Sequence, residues 1–243
     1  MDRVRLTSYA QKGQKMDVQI DLVRALTDVR KAYRLIWLYQ RRVVDIIRLI
    51  SETLEFRFWR WETEDHIGRM PGQVTKNPFG EGEWIWATLP LYRMSLFYFP
   101  STLDWNVQKS GQWMLEVAVE TDTGAKYAED DSEPSPVEFA PADKSETLLR
   151  LYAWYCTKDG NLDWFRGIWN ELDYPEQDDE PTTENVNVPI RIIRKSLDLS
   201  KLPDRASVER ELAEFREAIA QKLSSAAPDK LSEPVTTSIR LRG

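Results

Sequence analysis

Four residues between positions 116 and 126 carry groups suited to hydrolytic chemistry: Glu116, Glu120, Asp122 and Lys126. Carboxylates beside a lysine are a minimal set for metal-assisted phosphodiester cleavage, because a bound divalent ion lowers the pKa of the attacking water. On a strand, Glu116 and Glu120 share a face, and Lys126 follows the turn after it. The spacing matches no nuclease signature. His66, the single histidine, sits among Glu62, Glu64 and Asp65. One His and one Cys are too few for a His/Cys zinc site, and no Gly-x-Ser-x-Gly elbow accompanies His66. No glycine-rich loop of the Walker or dinucleotide type is present. Cys156 lies in an apolar aromatic run, as an inert buried thiol does. The residues point to no metal site and no cofactor.

Asp122-Thr123-Gly124-Ala125 resembles the Asp-Thr-Gly-Ala signature of retropepsin-like aspartic proteases. The resemblance implies two such loops sharing one water between their carboxylates, with a dimer supplying the second copy. Glu120 and Thr121 stand where that family has apolar residues, and no apolar-apolar-Gly segment follows downstream. Asp and Gly are also ordinary turn formers, so the stretch reads as a turn.

The element that would organise such groups is residues 17–56, read as one long helix. An apolar stripe follows Leu22, Leu26, Val29, Tyr33, Ile36, Gln40, Val43, Ile47, Ile50 and Leu54 in alternating steps of four and three. That period of 3.5 keeps one seam facing a partner along a supercoil. Gln40 is its one polar member, a residue type that can fix register and partner number. With Leu22 at d, the flanking sites hold Val23, Trp37, Tyr39, Val44 and Ile46, so the apolar face is wider than a two-stranded zipper needs. Arg24, Lys31, Arg34, Arg41 and Arg48 lie on the outer face, a candidate stripe for an anionic partner.

Beyond the helix the chain turns aromatic. Leu54, Phe56 and Phe58 alternate with Glu55, Arg57 and Trp59 as in a half-buried strand. Residues 62–83 read as loop, and Trp84 to Phe99 as two short strands broken at Pro90. Residues 113–120 alternate most clearly. Acidic residues 128–146 read as loop, 147–156 as strand, 161–173 as a short amphipathic helix and 174–187 as an acidic linker. Val188 to Ile193 is a short strand candidate, and 204–223 a helix with Val208, Leu212, Phe215, Ile219 and Leu223 on its apolar face, capped by Asp204 or Ser207. Trp59, Trp61, Trp84, Trp86 and Trp113 come from neighbouring segments, and any sharing an exposed face would stack on bases or sugars.

The 243 residues hold 11% aromatics, ten of them tryptophan, which argues for an ordered core rather than disorder. The net charge of −7 is unevenly spread. Residues 1–60 carry 13 basic and 7 acidic residues, and residues 116–184 carry 5 and 19, so the acidic segment is free to lie against the basic helix. One cysteine permits no intrachain disulfide, the N-terminus lacks a signal-peptide core, and arginines interrupt the longest apolar run. These features indicate a cytoplasmic protein without a membrane span.

The expected architecture is α+β: a polar arm at 1–16, the helix at 17–56, an aromatic-rich β-containing domain with acidic loops at 57–200, a helix at 204–223 and a flexible tail at 224–243. The expected function is a non-enzymatic interaction protein, a homo-oligomer or accessory subunit joined through the 17–56 helix. A nucleic-acid-binding protein using the basic face and tryptophans is the second expectation. A carboxylate or metal-dependent hydrolase around 116–126 is the third.

Overall fold

The structure, a computed structural model, describes residues 22–63, 92–100, 108–125, 135–182 and 187–222. The expected arm, His66, Trp84, Trp86, Lys126, Leu223 and the tail lie outside those residues. The fold is α+β. Helix α1 (Leu22–Leu54) is followed by strands β1 (Phe56–Thr63), β2 (Arg93–Pro100), β3 (Trp113–Glu120), β4 (Leu148–Cys156) and β5 (Ile190–Asp198), and by helix α2 (Arg205–Lys222). The five strands form one antiparallel meander in sequence order, with β1 and β5 at its edges. Contacts divide the chain into two compact units, residues 1–42 and 43–243.

The second unit contains the sheet. Pairing register places Phe97, Phe99, Met114, Glu116, Ala118, Glu120, Arg150, Tyr152, Trp154, Cys156, Ile190 and Ile192 on one face, here called the first. A core of Phe97, Phe99, Met114, Tyr152, Trp154 and Ile192 grows on that face, covered by Trp164 and Ile168. The second face presents Leu115, Val117, Val119, Leu149, Leu151, Ile193 and Leu197, all buried. Helix α2 packs there: Lys195 on β5 reaches Glu211 at 3.0 Å and Glu214 at 2.6 Å. Val43, Ile46, Ile47, Ile50 and Leu54 of α1 are also buried, and Arg216 of α2 donates to the Thr53 carbonyl at 2.6 Å. Each such side chain stabilises the fold by about 1.5–3 kcal/mol, so burial anchors the C-terminal turns of α1.

Local chemistry sets the boundaries. Helix α2 begins in a reciprocal cap, the Asp204 carboxylate accepting from Ser207 N at 2.8 Å and Ser207 Oγ from Asp204 N at 3.3 Å. Helix α1 ends where Glu55 adopts φ +59°, the left-handed conformation that stops a helix and usually belongs to glycine. A side chain there carries a steric penalty of about 1 kcal/mol. Glu55→Gly is therefore expected to stabilise the protein by up to about that amount, read as a higher midpoint in urea unfolding.

Three local expectations are corrected. Strand β1 does not keep one alternation: a bulge between Phe58 and Arg60 makes Trp59 an extra residue. Trp59 keeps the first face that alternation from Phe58 gives it, 5.2 Å from Phe99, but Arg60 joins it there and Trp61 falls on the second face, while Phe58 stays 54% exposed. Residues 161–173 do not form an amphipathic α-helix. Asp163 caps a wide π turn over Trp164–Ile168 through Phe165 N and Arg166 N, and a 3-10 turn over Trp169–Glu171 follows. Gly167 is a poor helix former, and burying both Trp164 and Ile168 governs this segment instead. Strand β5 runs from Ile190 to Asp198, well beyond Ile193, because it pairs with β4 along its whole length, and Pro189 stands before its first residue, where no ladder donor is needed.

The outer edge of β5 is not bare. Residues 178–182 run along it: Asp179 N donates to Arg194 O at 2.8 Å and Thr182 N to Ile192 O at 2.9 Å. Asp178 accepts from Ser196 N at 2.9 Å and from Arg194 Nε at 2.5 Å. Burial pushes the Asp178 carboxyl up, but the bonds from Arg194 and Ser196 together hold it below the usual carboxylate range. A depressed folded-state pKa contributes stability that is present above about pH 4 and lost as pH falls below it. In urea unfolding, Asp178→Asn is expected to be less stable than the parent at pH 7, with the gap shrinking at pH 3.

Candidate functional site

Two places in the structure have the chemistry of a site. The first is built on β3, whose residues from Met114 to Val119 are all buried, so both strand faces lie in the core. Its carboxylate, Glu116, has no exposed surface. Isolated in an apolar core, such a charge would cost several kcal/mol. Here Trp154 Nε1 donates to Oε2 at 2.8 Å, Tyr174 OH to Oε1 at 2.8 Å, and Ser95 Oγ to Oε1. The Tyr174 oxygen accepts in turn from Trp169 Nε1 at 2.6 Å. Aromatic contacts fix the same rings: Tyr174 lies 4.7 Å from Tyr152 and 5.6 Å from Trp154, and Trp169 lies 5.1 Å from Phe97.

Beside this network a cavity of about 380 Å³ is lined by Arg93, Ala118, Glu120, Arg150, Tyr152, Trp169 and Tyr174. Arg150 reaches Glu120 Oε2 through Nε at 3.0 Å and through Nη2. Glu116 and Glu120 thus share a face, as their spacing implies, but have different surroundings. Glu116 is sealed by aromatic donors, and Glu120 is ion-paired at the cavity wall. Asp122 is turned into its own loop: Gly124 N donates to Oδ1 at 2.8 Å, the turn expected of Asp-Thr-Gly. Gly124 is packed so closely on Ser145 that any Cβ would collide with its hydroxyl. Among the described residues, no group of three or more His, Cys, Asp or Glu side chains gathers as a metal ion would require. Cys156 is buried, and that burial, with Asp159 nearby, pushes its thiol up to about 12, far from the reactive thiolate range.

The lining residues Arg93, Arg150, Tyr152, Trp169 and Tyr174 were not signalled by the sequence. The one hint was Glu116, a charge between Leu115 and Val117 in the chain and between Met114 and Ala118 on its own strand face. Such a charge, if buried, needs donors. Those donors stand 21, 38 and 58 positions away in the chain, at Ser95, Trp154 and Tyr174, which no local pattern discloses.

The second place is the N-terminal part of α1. Between Val23 and Leu38 eight large apolar side chains are solvent-exposed, from Ile36 at 36% to Val23 at 74%. Leu26, Val29, Tyr33 and Ile36 are the seam positions, and Leu35, Trp37 and Leu38 extend the apolar surface around the helix. The C-terminal seam positions Val43, Ile47, Ile50 and Leu54 are buried. The outer basic stripe is partly neutralised within the helix. Lys31 pairs with Asp28 at 3.0 Å and Arg48 with Asp45 at 3.7 Å, and the Arg41 guanidinium lies 5.6 Å over Trp37. Acids of the 116–184 segment pair locally, Glu120 with Arg150, Asp159 with Lys109 and Asp178 with Arg194. The expected tryptophan face is divided, because Trp59 turns to the first face while register places Trp61 and Trp113 on the second.

A family model described as PM0109 matches residues 19–224. The chain belongs to the PM0109 family. The match takes in both α-helices and all five strands among the described residues of this PM0109-family chain, and with them both places described above. "Uncharacterized protein PM0109" of Pasteurella multocida (strain Pm70) is 24% identical over 210 residues, covering 84% of this chain and 97% of that protein. No solved structure matches the PM0109-family chain.

Proposed function

We propose that the protein is a non-enzymatic assembly subunit that self-associates through the N-terminal part of α1. The supporting observation is the run of exposed apolar residues from Val23 to Leu38. A helix that is apolar around much of its circumference is stable when neighbours cover it, and exposed apolar patches of this kind mark interaction surfaces. The occupant is a second copy of the same helix. The stripe Leu26, Val29, Tyr33, Ile36, Gln40 repeats every 3.5 residues, and a supercoiled partner with the same period meets it at every turn. Leu35, Trp37 and Leu38 lie outside that seam and favour more than one neighbour, either further copies or a larger assembly. The reading assigns the protein to the cytoplasm, where a lone thiol such as Cys156 stays reduced. No helix among the described residues is long and apolar enough to cross a membrane.

Sedimentation velocity across a concentration series tests the reading. A discrete species heavier than one chain is expected. A single 28.4 kDa species persisting at the highest concentration would end it.

A further inference from the structure

The cavity beside Glu116 has an organisation that the assembly reading does not use. Its walls are aromatic and held in place. Tyr174 OH donates to the buried Glu116 carboxylate and accepts from Trp169 Nε1, and both rings line the cavity. Tyr152 supplies a third ring, held 4.7 Å from Tyr174. Tyr174 is 38% exposed, so the walls meet solvent. Rings fixed in this way select a flat aromatic body. A volume of about 380 Å³ is that of a small-ligand site.

The charges of the lining are already answered. Arg150 directs Nε and Nη2 to one oxygen of Glu120, Oε2, and Arg93 has a contact of its own. The wall therefore calls for a neutral ligand: an anion would meet the Glu120 carboxylate, and a cation the Arg150 guanidinium. The ion pair keeps hydrogen-bonding capacity, because Glu120 Oε1 and Arg150 Nη1 take no part in it. One is an acceptor and the other a donor. A primary amide carries the matching N–H and carbonyl in one small neutral group.

We propose that this cavity binds a small neutral aromatic amide. The ring lies against Trp169 and Tyr174, the amide N–H donates to Glu120, and the amide carbonyl accepts from Arg150. The site lies within residues 43–243 and does not require association through α1.

Titration calorimetry of the full chain with benzamide, acetophenone, acetamide and benzoate tests the proposal. Benzamide is expected to bind saturably. Acetophenone has nearly the same shape but a methyl group in place of the NH2, and acetamide lacks the ring. Benzoate sets a second carboxylate against Glu120. Each of the three is expected to bind about tenfold more weakly or worse. Trp169→Ala, which removes a wall, is expected to weaken benzamide by about tenfold or more. Glu120→Gln should weaken benzamide similarly and narrow its advantage over benzoate, since the acceptor and the charge go together. Phe58→Ala, on the other sheet face, should leave affinity unchanged. Thermal melts confirm that each variant folds, and the four-ligand comparison on the parent chain decides the matter should either site variant not fold. Acetophenone or benzoate binding as tightly as benzamide, full benzamide affinity in Trp169→Ala, or no saturation with benzamide by about 50 mM, weaker than the affinity range of specific small-ligand sites, overturns the proposal.

Discussion

Glu116→Ala is expected to destabilise the protein by about 3–5 kcal/mol, the range for removing one partner of a buried charged network. The substitution leaves a void and strands Trp154 Nε1, Ser95 Oγ and Tyr174 OH, each of which donates to the carboxylate. A donor left buried without an acceptor costs about 1–3 kcal/mol. Glu116→Gln keeps the shape and one acceptor oxygen but turns an NH2 group toward donors, so it should be milder, at about 1–3 kcal/mol. Urea unfolding measures both. The order matters as much as the size, because a carboxylate that merely filled space would tolerate the amide almost freely. A Glu116→Gln variant as stable as the parent would refute the network's energetic role. The same variants should loosen Trp169, read as a change in its fluorescence environment.

The second large effect concerns a single stripe used in two ways. Val29 and Ile36 are 48% and 36% exposed, so Val29→Asp with Ile36→Asp costs the single chain little beyond helix propensity, about 1 kcal/mol in sum. Association through those positions should fall at least about a hundredfold, since two apolar contacts are replaced by like charges facing each other. Ile50 occupies the same stripe but is fully buried, and Ile50→Ala should destabilise the chain by about 2–5 kcal/mol. Sedimentation and urea unfolding together separate the two outcomes. A double Asp variant that unfolds, or that associates like the parent, contradicts this division of the helix.

That division explains what the sequence could and could not disclose. The heptad steps from Leu22 to Leu54 are legible because periodicity is local, and α1 runs through all of them. Whether a seam position meets the chain's own core or another molecule is not local. Leu26 and Ile50 are both aliphatic residues at core positions of the heptad, and only the fold of residues 43–243 decides that one is covered. Strand β3 shows the same limit. Its alternation is plain from Trp113 to Glu120, yet alternation suggests one wet face, and both are buried. Glu116 therefore reads as a surface acid until Trp154 and Tyr174 are placed against it. Beyond Trp59 a one-residue bulge reverses the facing of Arg60 and Trp61, an event that leaves little trace in residue types when the neighbours are aromatic or basic.

The strap along β5 gives the chain's acidity a physical use. A sheet edge with open donors and acceptors is a template for any extended chain nearby. Here the hydrogen bonds of Arg194 and Ile192 are already taken by Asp179 and Thr182, and the strap carries Asp178, Asp179 and Glu180. A second strand approaching that edge meets satisfied backbone and like charge together. At the opposite edge the bulge in β1 breaks the regular register that a docking strand needs. Sheet-to-sheet polymerisation is thus discouraged at both ends, so the association proposed for α1 would bring copies to high local concentration without their strands nucleating fibrils.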